Sequence, residues 1–315
     1  MGNRLLLLVG VICLAVAPLA QADAALDAAI ALIPDDGDVA IYYDDAGRAA
    51  LEAAISALEA AVGVTASFDA SNEKAYNELA IPVELKNLVN KLAQGYYTLG
   101  DVFLHGNNDA QKSIFDRGKN WGLKSLRMNP AFAAVEVSSG SFVDAIAQET
   151  DVAALYWTYA NWARYDEFDV LGAVVRNDPP KLEALIMRAL ELKPSYINFG
   201  AYRSLAGFWG SLPPLPLMYF GQDLPKTLSY LCPVLTEPNY CAECAVCPFD
   251  PDCNLYLENR LIFAQYYLME KSMWQEAARV LQSILAEPVG ELHALYNAFD
   301  QVLARELLAE VEKHL

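Results

Sequence analysis

A chain of 315 residues that is 55% hydrophobic can bury a sizeable core, in one large or two ordinary domains. Its net charge of −18 excludes a nucleic-acid or anionic-lipid surface, and any bound carboxylate would need a local basic pocket. His105, His293 and His314 lie far apart, and the chain has no HExxH, GxSxG, P-loop or GxGxxG pattern. Neither an enzyme nor a bound cofactor is expected, because no local motif supplies convergent reactive groups.

Residues 1–22 read as a signal peptide. Arg4 gives the positive start, Leu5–Ala17 the apolar run, and Ala20-Gln21-Ala22 the small residues at the cleavage point. The run is too short to cross a hydrocarbon core of roughly 30 Å comfortably. Cleavage and periplasmic export are expected, with retention as an anchor left open. Residues 23–315 then form one domain.

No stretch alternates cleanly with period two, so the class is all-α. Asp23–Ile33 is an Ala-rich helix broken by Pro34-Asp35-Asp36-Gly37-Asp38. Asp45–Val62 follows, with Leu51, Ile55, Leu58 and Val62 on one face. Ala66–Tyr76 is polar and reads as a loop. Pro82–Leu104 is a long helix ended by Gly106-Asn107-Asn108. Asp109 is positioned to cap the next helix, which runs to about Arg127. Ser138-Ser139-Gly140-Ser141 marks a turn before a short helix at Phe142–Gln148. Asp151 caps a helix whose inner stripe is Val152, Leu155, Tyr159 and Trp162.

A break at Asp166–Asp169 and a short apolar segment lead to Asp178–Tyr196. Pro179 and Pro180 suit a first helical turn, and Leu182, Leu185, Ile186, Ala189 and Leu190 share one face. Pro194 stops that helix. Asn198–Gly210 is the next helix, stopped by Pro213-Pro214, and Pro225–Leu235 follows it. Asn254–Lys271, Trp274–Leu285 and the terminal Glu291–Leu315 complete the chain.

The same layout recurs. Pro130, Pro194, Pro238 and Pro288 each follow an apolar helix, and two copies close on a Pro-x-Tyr triplet, Pro194-Ser195-Tyr196 and Pro238-Asn239-Tyr240. Tetratricopeptide units place two helices in about 34 residues and often end the second on Pro. The chain therefore reads as degenerate tetratricopeptide-like hairpins stacked into an α-solenoid, with the terminal helix as the capping element such an array needs.

A Cys-rich loop, residues 241–253, interrupts the array. Its Cys241, Cys244, Cys247 and Cys253 stand in a C-x2-C-x2-C-x5-C run, and Cys232 lies on the preceding helix. An exported chain meets an oxidising compartment, so all five are disulfide candidates. Cys241, Cys244, Cys247 and Cys253 as metal or cluster ligands is the alternative, since thiolates in adjacent turns converge on one ion. Five is odd, so one thiol stays free or pairs between chains.

Aromatic residues crowd two helices. Tyr156, Trp157, Tyr159, Trp162 and Tyr165 fall on one, Tyr202, Phe208 and Trp209 on the other. They read first as fillers between Ala-rich helices. The functional reading takes Tyr156, Trp157, Trp162, Tyr202, Phe208 and Trp209 as lining an apolar ligand cavity or a partner surface. Arg164 and Arg203 would add a carboxylate clamp.

Several segments, in order, carry a family resemblance. They are Phe115-Asp116-Arg117-Gly118, Trp121-Gly122-Leu123-Lys124-Ser125-Leu126, Asp151–Trp157, Met187–Leu192 before Pro194, Gly207-Phe208-Trp209, and Gly221–Lys226. The chain resembles the T component of tripartite ATP-independent periplasmic (TRAP) transporters, the TatT family, over roughly residues 25–310. The resemblance implies an exported, all-helical accessory without enzymatic activity. It implies association with itself, a trimer among the states, and docking to the solute-binding P protein. It also implies guiding an apolar or organic-acid ligand. Two features depart from the family. Members are typically lipoproteins, yet Ile12 precedes Cys13 where lipid processing wants a small residue, so membrane association stays open. The Cys-rich loop is also unlike the usual pattern. A periplasmic adaptor for envelope assembly, or a metal or redox protein built on that loop, are the alternative functions.

Overall fold

In the computed structural model, which describes residues 22–214, 221–235 and 255–315, every regular element among the described residues is a helix. Helix α1 covers residues 22–32, and α2, Asp45–Ala61, follows the Pro34 break. Asp44 caps α2 by accepting from the Gly47 amide at 2.7 Å, which satisfies one of the amides that a helix start leaves unpaired. The stretch expected as a polar loop holds a short helix, α3, Glu73–Glu78. Its Tyr76 is buried against Phe68 and Trp121, both at 4.9 Å between ring centroids. Two aromatic side chains in a polar stretch were enough to draw it onto the core.

The long apolar helix runs as expected but is not uniform. A 3-10 turn at Val83–Leu85 opens it, α4 spans Lys86–Thr98, and a π turn at Leu99–Phe103 closes it. Helix α5 covers Asn108–Arg127, and its cap is Asn107, not Asp109, which sits inside the first turn. Pro130 was expected only to end a helix. It also begins one: α6, Pro130–Ser139, starts with Asn129 as its cap and Pro at its first position, where no N–H is needed. Gly140 ends α6 at φ 67°, and Ser141 caps α7, Phe142–Ile146.

Helix α8, Val152–Glu167, is capped by Asp151 as expected. The expected stripe is too narrow, because every residue from Ala154 to Trp162 is buried. Helices α4, α5, α10 (Asp178–Leu192) and α11 (Tyr196–Ser211) all pack against it. Close approach to α5 needs glycine: a Cβ on Gly122 would lie 2.7 Å from the Thr158 Cα, and one on Gly118 would lie 1.9 Å from the Asn161 Oδ1. The short α9, Val170–Val175, bridges α8 and α10 with Leu171 and Val175 exposed. Helix α12 (Leu224–Leu231) with a 3-10 turn, α13 (Glu258–Phe263) with a π turn to Met269, α14 (Trp274–Ala286) and α15 (Ala294–Val311) complete the described chain.

Two apolar cores result. The larger gathers α1 to α8 with α10, and the smaller gathers α12 to α14. Helices α11 and α15 serve both: Leu205 and Phe208 of α11 and Leu295, Tyr296 and Phe299 of α15 belong to the first core, Phe199 and Ala206 of α11 and Ala304 and Val311 of α15 to the second. The start of α11 is unusual. Ile197, Asn198 and Phe199 all have φ between 49° and 63°, a region that L residues avoid. The Asp36 carboxylate accepts from the Ile197 amide at 2.8 Å, and the Arg203 guanidinium donates to the Ile197 and Asn198 carbonyls. Asp36, remote in sequence, and Arg203, later in the same helix and anchored to Glu258, thus hold a left-handed turn that is costly for Ile and Phe.

Candidate functional site

A cavity of about 380 Å³ lies where α8 and α11 face each other. Helix α8 contributes Tyr156, Tyr159, Ala160, Ala163, Asp166 and Glu167, which recur at three and four residues and so share one face. Helix α11 contributes Arg203, Ser204, Gly207, Phe208 and Ser211 by the same rule. Val170, Ala173 and Val174 of α9 and Pro179, Pro180 and Leu182 of α10 close one side, while Glu258, Ile262 and Tyr266 close the other. The small residues Ala163 and Gly207 help to leave this space open between bulkier neighbours. Its volume falls within the roughly 300–1,000 Å³ typical of small-molecule sites.

The two arginines at the cavity are already engaged. Arg164 pairs with Asp101 at 2.7 Å and with Glu167 at 3.2 Å. Burial opposes its charge, but Asp101 and Glu167 overrule that cost and hold its pKa above the ordinary value. Arg203 is 3% exposed and donates to Glu258 at 2.7 Å, to Asn259 at 3.2 Å and to the two carbonyls of the left-handed turn. The Tyr256 ring lies 4.2 Å beneath its guanidinium. The Arg203 donors are thus largely taken up by internal partners, while Arg164, a third exposed, already carries two carboxylates that balance its charge.

Asp166 is 6% exposed, and its Oδ1 accepts from Arg176 at 2.9 Å. Its Oδ2 is buried without a hydrogen-bond partner among the described residues. Burial, and then the neighbouring Asp178 charge, push the Asp166 pKa up to about 7, against the pull of Arg176. Arg176 is divided among Asp166, Asp169 and Asp178, at 2.9, 3.0 and 2.7 Å. Tyr156, which also faces the cavity, is pushed up to about 12 by burial and stays protonated at neutral pH.

Of the residues singled out from sequence, Tyr156, Arg164, Arg203 and Phe208 line the cavity. Trp157, Trp162, Tyr202 and Trp209 are not among its walls. Trp157 donates its indole N–H to the Tyr196 hydroxyl at 3.0 Å inside the larger core. Trp162 lies between the Phe142 ring at 5.6 Å and the Lys181 ammonium at 5.4 Å. Trp209 carries the Lys226 ammonium 3.5 Å above its ring, and Tyr202 packs against the smaller core. Asp166, Glu258 and Tyr266 were missed. Asp166 had a readable signal, because it continues the α8 face through Tyr156, Tyr159 and Ala163.

Cys232 is buried in the smaller core. The Cys-rich loop with Cys241, Cys244, Cys247 and Cys253 lies outside the described residues, as do most of residues 1–22 and the Pro238-Asn239-Tyr240 triplet. Among the described residues, no group of His, Cys, Asp and Glu could hold a metal ion. No described helix is long and apolar enough to cross a membrane.

Residues 83–216 match the family model described as TRAP transporter T-component. The match begins at the 3-10 turn before α4 and ends just past α11, so it takes in the α8 and α11 faces that meet at the cavity. No curated protein matches the chain.

Proposed function

We propose that the chain is the periplasmic accessory of a TRAP-type transport system, a reading supported by the match of residues 83–216 to the model of the TRAP transporter T-component. In this reading it docks a solute-binding protein and receives an apolar ligand in the α8–α11 cavity. The observation that carries the ligand half is that cavity itself. It is walled by Tyr156, Tyr159, Phe208, Ile262 and Tyr266 and lies largely within the matched segment. A space of this size with apolar walls and a few buried polar groups is the usual form of a small-molecule site.

The docking half rests on the family and on architecture. We take the all-helical chain to be a stack of tetratricopeptide-like hairpins, whose broad surface suits a protein partner. Self-association, a trimer among the states, belongs to the same proposal. Capture of a solute-binding protein by the tagged chain, with its mass in solution measured by light scattering, tests this half. Failure to enrich any solute-binding protein over other exported proteins would favour an envelope-assembly adaptor instead.

A further inference from the structure

We infer that the α8–α11 cavity holds its ligand by one neutral, carbonyl-type oxygen, which accepts hydrogen bonds from Arg164, Tyr97 and Tyr266. This deepens the proposal of an apolar ligand and rests on it. Three observations carry the head-group assignment.

The first is unused donor capacity. Arg164 Nη1 faces Glu167 at 3.2 Å and Nη2 lies 2.7 Å from Asp101, while its Nε–H has no partner among the described residues. The Tyr97 and Tyr266 hydroxyls have none there either, unlike that of Tyr159, which donates to the Ser204 carbonyl at 2.9 Å. Tyr97, Arg164 and Tyr266 all line the cavity. Each lies deep enough for burial to dominate its titration, yet each keeps open surface, 32% of the side chain at Arg164. Open surface at that depth is cavity surface. Burial also keeps both hydroxyls protonated, with Tyr266 pushed up to about 12 and Tyr97 held well above its ordinary value.

The second is placement. The Tyr97 ring packs on Trp157 at 5.5 Å, and Asp101, one turn further along, holds Arg164, two turns beyond Trp157. Tyr97 and Arg164 therefore sit on facing surfaces. Tyr266 comes from the other wall. Its Cβ would lie 2.7 Å from a Cβ on Gly210, and its ring edge 3.7 Å from one on Gly207. The ring thus runs along α11 from the exposed Ser211 end toward buried Arg203. The third is backbone form. π turns are rare and often mark functional sites. The one at Leu99–Phe103 carries Asp101, the partner of Arg164, and the one at Ala264–Met269 carries Tyr266. The head is neutral because Asp101 and Glu167 already balance the Arg164 charge, which leaves hydrogen bonds to give and no net charge to meet. A carbonyl oxygen accepts from such donors and supplies none, and the tail lies against Phe208 and Ile262.

The test uses 2-decanone, decanol, decanoate and decylamine. Each is titrated calorimetrically into the full chain at pH about 8, in about 0.3 M salt, where attraction to the acidic surface is screened. 2-Decanone and decanol should bind, and decanoate no more tightly than 2-decanone. Decylammonium, which brings only donors, should bind about tenfold more weakly. Tyr97→Phe and Tyr266→Phe should each weaken 2-decanone about fivefold, the worth of one ordinary hydrogen bond, and leave decylammonium as it was. Their urea midpoints should match wild type, since neither hydroxyl bonds a described residue. Ala163→Phe, which fills the cavity, should abolish binding of all four in a chain whose circular dichroism is unchanged. Should that variant fail to fold, Gly207→Leu fills the opposite wall. Decylammonium binding as tightly as 2-decanone would overturn the head-group inference while leaving the apolar cavity intact. Wild-type affinity for 2-decanone in both Phe variants would do the same. Decanoate binding more tightly than 2-decanone would overturn the neutral head in favour of a carboxylate. Binding by none of the four would overturn both readings, and unaltered binding to the filled variants would move the site elsewhere.

Discussion

Gly122→Ala and Gly207→Ala are the same chemical change in the interior of two helices, yet the structure gives them opposite signs. Exchanging Gly for Ala within a helix favours folding by about 0.5–1 kcal/mol, through lower chain entropy and better helix propensity. At Gly207 the new Cβ would find the Tyr266 ring at 3.7 Å, an ordinary contact, so the propensity gain should be kept. At Gly122 it would lie 2.7 Å from the Thr158 Cα and 2.5 Å from its Oγ1. A hydroxyl can turn aside, but a backbone carbon in the buried centre of α8 cannot. Helices α5 and α8 must then move apart, and overpacking of this kind costs about 1–3 kcal/mol. The net expectation is a loss of about 1–2 kcal/mol for Gly122→Ala and a gain of up to about 1 kcal/mol for Gly207→Ala. Urea unfolding followed by circular dichroism reads both as shifts in midpoint at constant slope. If Gly122→Ala proves as stable as Gly207→Ala, the tight α5–α8 crossing is wrong.

Other perturbations test the same frame. Arg203→Ala should destabilise by about 3–5 kcal/mol, because it strands Glu258 and unpairs the carbonyls of the left-handed turn. Unfolding within 1 kcal/mol of wild type would mean that Arg203 does not hold that turn, on the roughly 1 kcal/mol scale of an ordinary hydrogen bond. Asp166 holds its proton to about pH 7, whereas the unfolded chain releases it near the ordinary 3.8. Between those values the folded state binds the extra proton, so stability should fall as pH rises from about 4 to about 7. Asp166→Asn should flatten that slope, and identical slopes for the two proteins would contradict the raised pKa. Cys232, buried at the end of α12, is proposed to be oxidised in the exported protein. Alkylation before and after reduction, read by mass spectrometry, should label it only after reduction, and labelling in the unfolded, unreduced chain would show a thiol.

The readable parts of this chain were those whose cause is local. Asp151 before an apolar run, Pro179-Pro180 opening α10 and Pro194 after it each act within a turn of the backbone, and each element stands where the sequence puts it. Pro130 shows the limit of such rules. A proline that cannot continue one helix is equally suited to begin another, and only the Asn129 cap decides that α6 follows. The left-handed turn at Ile197–Phe199 was beyond reach, because Ile and Phe resist it and the one tolerant residue, Asn198, does not call for three in a row. Its support comes from Asp36 and from a guanidinium anchored to Glu258.

The cavity was half legible for a related reason. Aromatic crowding pointed to the right two helices, but which aromatic faces the space depends on helix rotation. Tyr156 and Trp157 are adjacent in sequence, and one lines the cavity while the other is buried in the larger core. Periodicity can sort a helix into faces, yet it cannot say which face meets a void when the helix is buried all round.

The position of the cavity ties its contents to the rest of the molecule. Its α8 wall belongs to the larger core, and Ile262 packs on the smaller one. Helix α11 joins the two, with Arg203 reaching from the cavity to Glu258 of α13 on one side and to the left-handed turn on the other. A ligand that touches both walls therefore adds contacts across the line where the two cores meet. By mass action, a ligand at a hundred times its Kd stabilises the folded chain by about 2.7 kcal/mol. In a chain built this way, that gain should appear as a later and more concerted unfolding of both cores, not as protection of one alone. Hydrogen exchange with and without decanol would read it directly: amides of α8 and of α13 should slow together. Slowing confined to α8 would mean that the two cores respond separately, and that the cavity belongs to the larger one only.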